Sequence, residues 1–330
     1  MVMTETPKHI AVLTSGGDAP GMNASIRAVV RCCAYYNVQC TGVFRGFEGL
    51  IEKEFKVLDA RSVKNLINRG GTFLKSTRSD RFLTEEGRAL AFQNLRDEQV
   101  DALIVIGGNG SLKGAQILGE EHQFPVIGIP ATIDNDINGT DQTIGYDTAL
   151  NTVIEAIDKI RDTASSHNRL FLVEVMGRNA GDIAVSAGIG AGAEEILIPE
   201  QNLGKERLIK SLKQSQKSGK TSSIVVVSEG KRTGKNIIRL SKYIMKHLPE
   251  YEVRVTVLGH IQRGGAPSCY DRVLASRLGV FAVETLLNHT ANMMVGIRNK
   301  DMVTATFEES LTNRSKINEE LLHVAEITKI

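Results

Sequence analysis

Short apolar runs rich in β-branched residues alternate along this chain with stretches that have helical spacing. We predict strands at residues 10–13, 101–106, 126–129, 170–175, 196–198, 224–227 and 253–258. Helical spacing is present from Met22 to Tyr36 and from Asp147 to Arg161, and another helix is expected to begin near Ser111. Near-continuous apolar strands separated by helices are typical of parallel sheets covered on both faces. The pattern therefore predicts an α/β fold.

The order of these segments predicts two lobes. The long helix near Asp147 is expected to carry the chain into a second lobe, and the segment from Ile261 onward to return it to the first. The sequence contains no Pro/Ser-rich linker, repeat or low-complexity segment. We expect a larger lobe formed by residues 1–145 and 262–312, and a smaller one formed by residues 146–261 and 313–330.

Composition excludes several classes of partner. Lys and Arg total 40 against 38 Asp and Glu, and a net charge of only +2 favours neither nucleic acid nor an anionic membrane. No apolar run approaches the roughly 20 residues of a membrane span, and the N-terminus lacks the layout of a signal peptide. Because no C-x-x-C pattern is present, we expect buried, reduced thiols in a cytoplasmic protein at Cys32, Cys33, Cys40 and Cys269.

The segment Pro130–Asp141, with the sequence P-A-T-I-D-N-D-I-N-G-T-D, follows one of the predicted strands. Carboxylates at the carboxyl end of a buried strand lie where open α/β sheets hold their active sites. If the segment is extended, Asp134 and Asp136 share a face, and a bound cation or a proton relieves their repulsion. Such a pair suits metal-assisted transfer or base catalysis. A surface loop of Asx turns is the alternative.

Two glycine-rich loops also follow predicted strands, at Thr14–Gly21 and Gly107–Ser111. Glycine lets backbone N–H groups approach a phosphate, and the following helix N-terminus adds favourable partial charge. Each loop alone could be an ordinary βα turn, but two of them beside the acidic segment favour a nucleoside triphosphate. The Gly219–Thr221 triplet lacks the first glycine of a Walker motif, and Gly188–Gly192 has the wrong spacing for a dinucleotide fingerprint.

A third group of residues is basic and surrounds a predicted strand end. Arg254, His260 and Arg263 occur within ten residues beside Gly264-Gly265, and Arg169 precedes another strand. Arginine side chains bind phosphate oxygens in pairs, and histidine can donate to them. Solvated arginines at loop ends are the alternative for any one of these residues.

Five motifs together resemble the bacterial ATP-dependent 6-phosphofructokinases. They are L-T-S-G-G-D-A-P-G-M-N-A, I-N-R-G-G-T-F-L, T-I-D-N-D-I-N-G-T-D, V-E-V-M-G-R and the run R-V-T-V-L-G-H-I-Q-R-G-G-A-P-S-C-Y-D-R. The resemblance extends from Ile10 to Asn299. It implies two Rossmann-like αβα sandwich lobes with an active site in the cleft between them. The larger lobe would bind ATP and the smaller one fructose 6-phosphate.

The resemblance also implies a role for each matching residue. Asp134 would take the proton from the sugar 1-hydroxyl as that oxygen attacks the γ-phosphoryl group of ATP. Thr132 and Asp136 would flank it, and Asp136 and position 109 would help to hold Mg²⁺. Arg78 and Gly17 would hold the transferring phosphates. The nucleotide site would be completed by Ser79, Gly108, Asn109, Gly110 and Ser111.

For the sugar, the resemblance implies contacts from Met176, Gly177, Arg178 and Glu229, and a grip on its 6-phosphate from His260 and Arg263. Arg169 and Arg254 would reach that phosphate from a neighbouring subunit of a homotetramer. Relatives bind ADP as activator and phosphoenolpyruvate as inhibitor between subunits. The matching effector residues are Arg27, Arg31, Arg161, Glu194 and Lys220. A cytoplasmic, allosterically regulated enzyme of glycolysis is therefore expected.

Several positions depart from the family pattern or select within it. Asn109 replaces the usual aspartate, which predicts a raised Mg²⁺ requirement or lower turnover. Ala60 replaces a usual arginine and Lys64-Asn65 a small polar or acidic pair, so the effector ligand stays open. Gly110 and Ala131 are small, whereas pyrophosphate-using relatives carry Asp and Lys there, so ATP is favoured as the donor.

Three alternatives stay open at the level of sequence. The chain could use pyrophosphate instead of ATP, which a donor swap would reveal. It could be a catalytically silent subunit that binds nucleotide and sugar phosphate to regulate a partner, an interpretation supported only by Asn109. A bare nucleotide-binding module would leave Arg169, Arg254, His260 and Arg263 unexplained.

Overall fold

Two separate β-sheets, one of seven strands and one of four, organise this chain in the computed structural model. The structure describes residues 5–164, 169–201, 204–217, 223–230, 237–312 and 317–328. Each sheet belongs to one of two compact units. The larger unit comprises Met1–Thr148 and Arg263–Arg314, and the smaller unit comprises Ala149–Gln262 and Ser315–Ile330.

The strands and helices are numbered in chain order. The strands are β1 (His9–Ser15), β2 (Gln39–Val43), β3 (Phe55–Leu58), β4 (Ala102–Gly107), β5 (Val126–Pro130), β6 (Arg169–Val175), β7 (Glu195–Leu197), β8 (Ser223–Ser228), β9 (Glu252–Val257), β10 (Met293–Arg298) and β11 (Asp301–Thr306). The helices are α1 (Met22–Tyr35), α2 (Gly46–Ile51), α3 (Glu85–Asp97), α4 (Asn109–His122), α5 (Tyr146–Ala164), α6 (Asp182–Gly190), α7 (Lys205–Lys217), α8 (Ile237–His247), α9 (Cys269–Leu287), α10 (Phe307–Leu311) and α11 (Glu319–Thr328).

The sheet of the larger unit has the strand order β11-β10-β5-β4-β1-β2-β3. Its inner pairs are parallel, whereas β3 and β11 add to the two edges in antiparallel orientation. Every residue of β1, β4 and β5 is buried, because helices cover both faces of the parallel centre. This burial explains why these strands read as continuous apolar runs in the sequence.

The sheet of the smaller unit has the order β7-β8-β6-β9, and all of its pairs are parallel. All residues of β8 are buried, whereas the edge strand β9 is partly exposed along its length. Leucine, valine and isoleucine side chains of β6, β8, α7 and α8 form the core on one face of this sheet. The predicted α/β fold with mostly parallel sheets is confirmed.

Several elements differ from the sequence prediction. The helix expected near Ser111 begins at Asn109, because Gly108 is its N-cap. Strands β2, β3, β10 and β11 were not predicted. Within the described residues, no helix has the length and apolar character needed to cross a membrane.

The four cysteines are free thiols, and they divide into two environments. Cys32, Cys33 and Cys40 are buried as predicted. Cys269 is exposed, so the prediction of a buried thiol is wrong there. Its position explains the difference, because it is the first residue of α9.

Candidate active site

Three neighbouring strands of the larger unit end at the same level. Ser15 of β1 pairs with Gly107 of β4, and Gly107 pairs with Pro130 of β5. The two glycine-rich loops and the acidic segment therefore leave the sheet side by side, at the carboxyl edge where open α/β sheets bind ligands. The structure thus brings together three segments that lie far apart in the sequence.

The turn after β4 combines a tightly packed glycine with an open one. A Cβ at Gly107 would lie 2.5 Å from the Oγ atom of Ser111 and 2.5 Å from the carbonyl oxygen of Ser15, so only glycine fits there. A Cβ at Gly110 would meet no atom within 4 Å. Ser111 is itself buried, which suits a role in shaping the turn.

The same turn opens a long helix whose first N–H groups lack a side-chain cap. Gly108 is the N-cap of α4, no side chain accepts a hydrogen bond there, and no acidic residue lies in the first turn. The first N–H groups of a helix have no partner within the helix, and the helix dipole favours negative charge at this end. The arrangement can bind phosphate oxygens.

The acidic segment contains a turn, so the condition under which Asp134 and Asp136 would share a face, an extended segment, is not met. Ile133 and Asp134 lie in the turn, and Asn135 has a left-handed φ of 50°. The backbone N–H of Asp134 donates to Oγ1 of Thr132 over 3.2 Å. Asp134 is only 2% exposed, whereas Asp136 is half-buried. The two carboxylates therefore occupy different environments, and Asp134 is the one shielded from water.

The loop after β1 lies against an arginine of the basic group. The guanidinium of Arg263 donates to the carbonyl oxygen of Asp18 over 3.2 Å. A Cβ at Gly17 would lie 2.4 Å from the same guanidinium nitrogen. The absence of a side chain at Gly17 therefore allows Arg263 to lie on the backbone of this loop.

Arg78 lies in a stretch without regular structure between β3 and α3. Its side chain is exposed, and within the described part of the chain it makes no hydrogen bond or ion pair. The next residue is held differently, since Oγ of Ser79 donates to a carboxylate oxygen of Glu48. A free guanidinium beside a fixed neighbour is available to bind an anion.

In the smaller unit, a second set of residues follows the carboxyl ends of β6, β8 and β9. Met176 and Gly177 follow β6, Glu229 follows β8, and the exposed His260 follows β9. Gly177 has a φ of 141°, and a Cβ there would lie 2.4 Å from the carbonyl oxygen of Ala180. This glycine is therefore required by the backbone.

Hydrogen bonds fix these loops relative to one another. Gln262 is fully buried, accepts from the N–H of Met176 over 3.1 Å and donates to the carbonyl oxygen of Gly259 over 2.9 Å. The N–H of Arg178 donates to Glu229 over 3.2 Å. No role was predicted for Gln262 from the sequence. Its position next to the predicted residues His260 and Arg263 was the one available signal.

Arg169 and Arg254 lie near the opposite end of the same sheet. Arg169 begins β6, and Arg254 pairs with Phe171 in the first half of β9. Both side chains pair with Glu252, that of Arg169 over 2.8 Å. The expectation that Arg254 surrounds the strand end with His260 is wrong, because three strand residues follow Arg254 before β9 ends, which places it about 10 Å before that end.

Glu174, in β6, is an acid that sequence analysis passed over. Its Oε2 atom is buried without a hydrogen-bond partner in the described structure. Burial, and secondarily the charge of Glu229, raises the pKa of this carboxyl.

The predicted effector residues are distributed over both units. Arg27 and Arg31 lie one turn apart on α1, and burial, followed by the charge of Arg31, lowers the pKa of Arg27. In the smaller unit, Arg161 lies 3.8 Å from Glu194 and donates to the carbonyl oxygens of residues 191 and 192. Lys220, like the Gly219–Thr221 triplet, lies outside the described residues.

The residues predicted to hold Mg²⁺ provide oxygen donors at two adjacent strand ends. Asn109 begins α4 after β4, and Asp136 follows β5; both are half-buried. Among the described residues, no three His, Cys, Asp or Glu side chains form a metal cluster. Mg²⁺ commonly uses one or two protein oxygens together with phosphate oxygens and water. One carboxylate and one amide fit an ion that arrives with a nucleotide.

The chain is similar to known proteins over nearly its whole length. The family model described as phosphofructokinase matches residues 9–286. A protein of Thermus thermophilus named ATP-dependent 6-phosphofructokinase 1 is 51% identical over 97% of this chain and 99% of its own length.

Solved structures share the fold. The phosphofructokinase of Saccharomyces cerevisiae has a TM-score of 0.85 and 34% identity over 98% of this chain, which spans about half (48%) of the yeast chain. A pyrophosphate-dependent phosphofructokinase of Nitrosospira multiformis also has a TM-score of 0.85, at 18% identity, covering 98% of this chain and 92% of its own. That second likeness concerns the fold alone.

Proposed function

The chain belongs to the phosphofructokinase family, and from this premise we propose that it transfers the γ-phosphoryl group of ATP to the 1-hydroxyl of fructose 6-phosphate. The products are fructose 1,6-bisphosphate and ADP, a step of glycolysis. One observation carries the proposal. The two glycine-rich turns and the segment with the buried Asp134 leave three adjacent strand ends at one level.

In the proposed reaction, the sugar oxygen forms a bond to the γ-phosphorus while the bond from that phosphorus to the β,γ-bridging oxygen breaks. Asp134 accepts the hydroxyl proton, and a positioned base of this kind contributes about 10²- to 10⁴-fold. Its burial supports the assignment, because a carboxylate shielded from water interacts more strongly with a hydroxyl placed beside it.

We assign the positioning of the phosphates to backbone groups and an arginine side chain of the larger unit. The uncapped N–H groups of α4 and the loop at Gly17 bind phosphate oxygens, and the unpaired Arg78 stabilises charge on the transferring group. A positioned arginine contributes about 10³- to 10⁵-fold in such reactions. When bound, Mg²⁺ supplies neutralisation of the β- and γ-oxygens. Asn109 and Asp136 would hold it.

Sugar binding is assigned to Met176, Gly177 and Glu229, with His260 and Arg263 on the 6-phosphate. The hydrogen bonds of Gln262 support this assignment, since they hold the loops at Met176 and Gly259 together. We assign ATP binding to the larger lobe and sugar binding to the smaller lobe. The free, buried thiols of Cys32, Cys33 and Cys40 are compatible with the reducing environment of the cytoplasm.

ATP is the proposed donor because small residues occupy two deciding positions. Gly110 is exposed beside open space, and Ala131 follows the end of β5. A carboxylate at Gly110 would repel the α-phosphate of ATP, and a lysine at Ala131 would fill the adjacent space. The fold does not decide the donor, because a pyrophosphate-dependent relative shares it.

We propose the homotetramer that the resemblance implies, and the position of Arg169 and Arg254 near the opposite end of the smaller sheet from His260 supports a contribution of these arginines to a neighbouring subunit. A neighbouring subunit would then bring these arginines to the 6-phosphate. Mixing an Asp134→Ser subunit with an Arg254→Ala subunit tests this. Recovery of activity in the hybrid supports shared sites, and a mixture as inactive as its components contradicts them.

An ADP-release assay tests the proposed function. We expect release with ATP only when fructose 6-phosphate is present, and little or no turnover with pyrophosphate. Faster turnover with pyrophosphate would reassign the donor. Binding of ATP and fructose 6-phosphate without any turnover would identify a silent regulatory subunit instead.

A further inference from the structure

The loop that carries Arg78 is held on both sides of this residue. We call residues 72–83 the Arg78 loop. On the upstream side, Oγ of Ser76 donates to the carbonyl oxygen of Gly16 over 2.8 Å. Oγ1 of Thr14 donates to the carbonyl oxygen of Lys75 over 2.9 Å. These bonds connect the upstream half of the loop to the end of β1.

On the downstream side, the carboxylate of Glu48 in α2 binds two side chains of the loop, while Glu52 also accepts from Arg81 and Arg88 donates to the carbonyl oxygens of Phe82 and Leu83. One oxygen of Glu48 accepts from Oγ of Ser79, and the other accepts from the guanidinium of Arg81 over 3.0 Å. Ser79 in turn accepts from the N–H of Phe82 over 3.2 Å. Arg78 therefore lies between two hydrogen-bonded serines, and Glu48 is the side chain that accepts from the second.

Side-chain packing between α2 and the Arg78 loop supports the contact that Glu48 makes. The ring of Phe47 stacks on that of Phe82 with centroids 4.1 Å apart. The Glu48 side chain is only 17% exposed, so its hydrogen bonds are partly shielded from water. Loops without regular structure have a large conformational entropy to lose, and such contacts offset that loss.

The charges are arranged so that Glu48 does not compete for Arg78. Arg81 pairs with both Glu48 and Glu52. Both oxygens of Glu48 are therefore engaged, and its negative charge is balanced by a cation other than Arg78. The Arg78 guanidinium stays available for an anionic ligand.

We propose that Glu48 is a positioning residue for the nucleotide site, acting through Ser79 and Arg81 to hold Arg78 where it meets the transferring phosphate. The inference rests on the proposed function for its kinetic consequence. A displacement of about 1 Å in a positioning group can cost about 100-fold in rate. Loss of the Glu48 contacts should therefore act on ATP turnover and leave sugar binding unchanged.

Glu48→Ala, Glu48→Gln and the control Glu54→Ala test the proposal. Glu54 accepts from the guanidinium of Arg45 at 2.6–3.0 Å, and among the described residues its carboxylate makes no hydrogen bond to the Arg78 loop. We expect Glu48→Ala to lower kcat/KM for ATP about tenfold or more, with KM for fructose 6-phosphate within about twofold. Glu48→Gln, which keeps an acceptor for Ser79, should recover most of the loss.

Limited trypsin cleavage after Arg78 gives a readout that does not depend on catalysis. We expect Glu48→Ala to be cut there several-fold faster than the wild type and Glu54→Ala at the wild-type rate. If Glu48→Ala matches Glu54→Ala in both kcat/KM for ATP and cleavage rate, the proposal is overturned. If the wild type does not turn over fructose 6-phosphate, the proposed function fails, and the cleavage rates alone decide the role of Glu48.

Discussion

Replacing Gly110 by aspartate should impair the use of ATP without harming the fold. No protein atom lies within 4 Å of a Cβ at this position, and Gly110 is the second residue of α4. A carboxylate in the first turn of a helix stabilises it by about 0.3–1 kcal/mol, and removing a helical glycine adds about 0.5–1 kcal/mol. The thermal midpoint should therefore stay the same or rise.

The same carboxylate should repel the phosphates of ATP. Two unit charges about 5 Å apart interact by about 3 kcal/mol at an effective dielectric constant of about 20. Since each 1.36 kcal/mol changes a rate about tenfold, kcat/KM for ATP should fall about 100-fold. Pyrophosphate, which consists only of the transferred phosphoryl group and the phosphate that leaves, has no counterpart of the α-phosphate and should be affected less.

The assay is ADP release at saturating fructose 6-phosphate, together with a thermal unfolding curve. Gly110→Ala is the matched control, because it adds the methyl group without the charge. Gly107→Ala provides the contrast, since its Cβ would collide with Ser111 and Ser15 and should destabilise the fold. If Gly110→Asp uses ATP within about threefold of the wild type, the charge argument for the donor is wrong.

Three further changes test other parts of the site. Asn109→Asp should lower the Mg²⁺ concentration needed for half-maximal activity and raise kcat, because a carboxylate holds a hard cation more firmly than an amide does; an unchanged magnesium titration contradicts this. Gly177→Ala should raise KM for fructose 6-phosphate about tenfold while KM for ATP stays constant, because its φ of 141° and the Ala180 carbonyl exclude a side chain; equal effects on both substrates would point to general damage. Burial and the charge of Glu229 raise the pKa of Glu174 in the folded protein. The contribution of this carboxyl to folding stability is therefore present below the ordinary carboxyl pKa and is lost as pH rises through the raised pKa of Glu174. The thermal midpoint of Glu174→Gln should therefore rise relative to that of the wild type as pH rises. The control Glu308→Gln, at an exposed position, should show no such pH-dependent difference.

The strands that are buried along their whole length were predictable from the sequence, whereas β2, β3, β10 and β11 were not. Strands such as β4 and β8 are buried on both faces, so their residues are apolar without interruption. The edge strand β3 gives no such run, because only one of its residues is buried. The hairpin between β10 and β11 turns at Asn299 and Lys300, both with positive φ, and Lys is a weak signal for such a turn.

The candidate site divides in the same way. Glycine turns and acids that follow apolar runs were found, because strand ends are where this fold binds ligands. Gln262 and Glu48 were missed, since their partners lie 86 and 31 residues away in sequence. Arg254 was grouped with His260 by its closeness in sequence, although the predicted strand 253–258 already placed it near the strand's start.

The rate of ADP release by Asp134→Ser, compared with wild type at saturating ATP and fructose 6-phosphate, tests the central assignment most directly. A fall of about 10²-fold or more, with unchanged ATP binding and an unchanged thermal midpoint, is the predicted result. Turnover within tenfold of the wild type would mean that another group removes the hydroxyl proton.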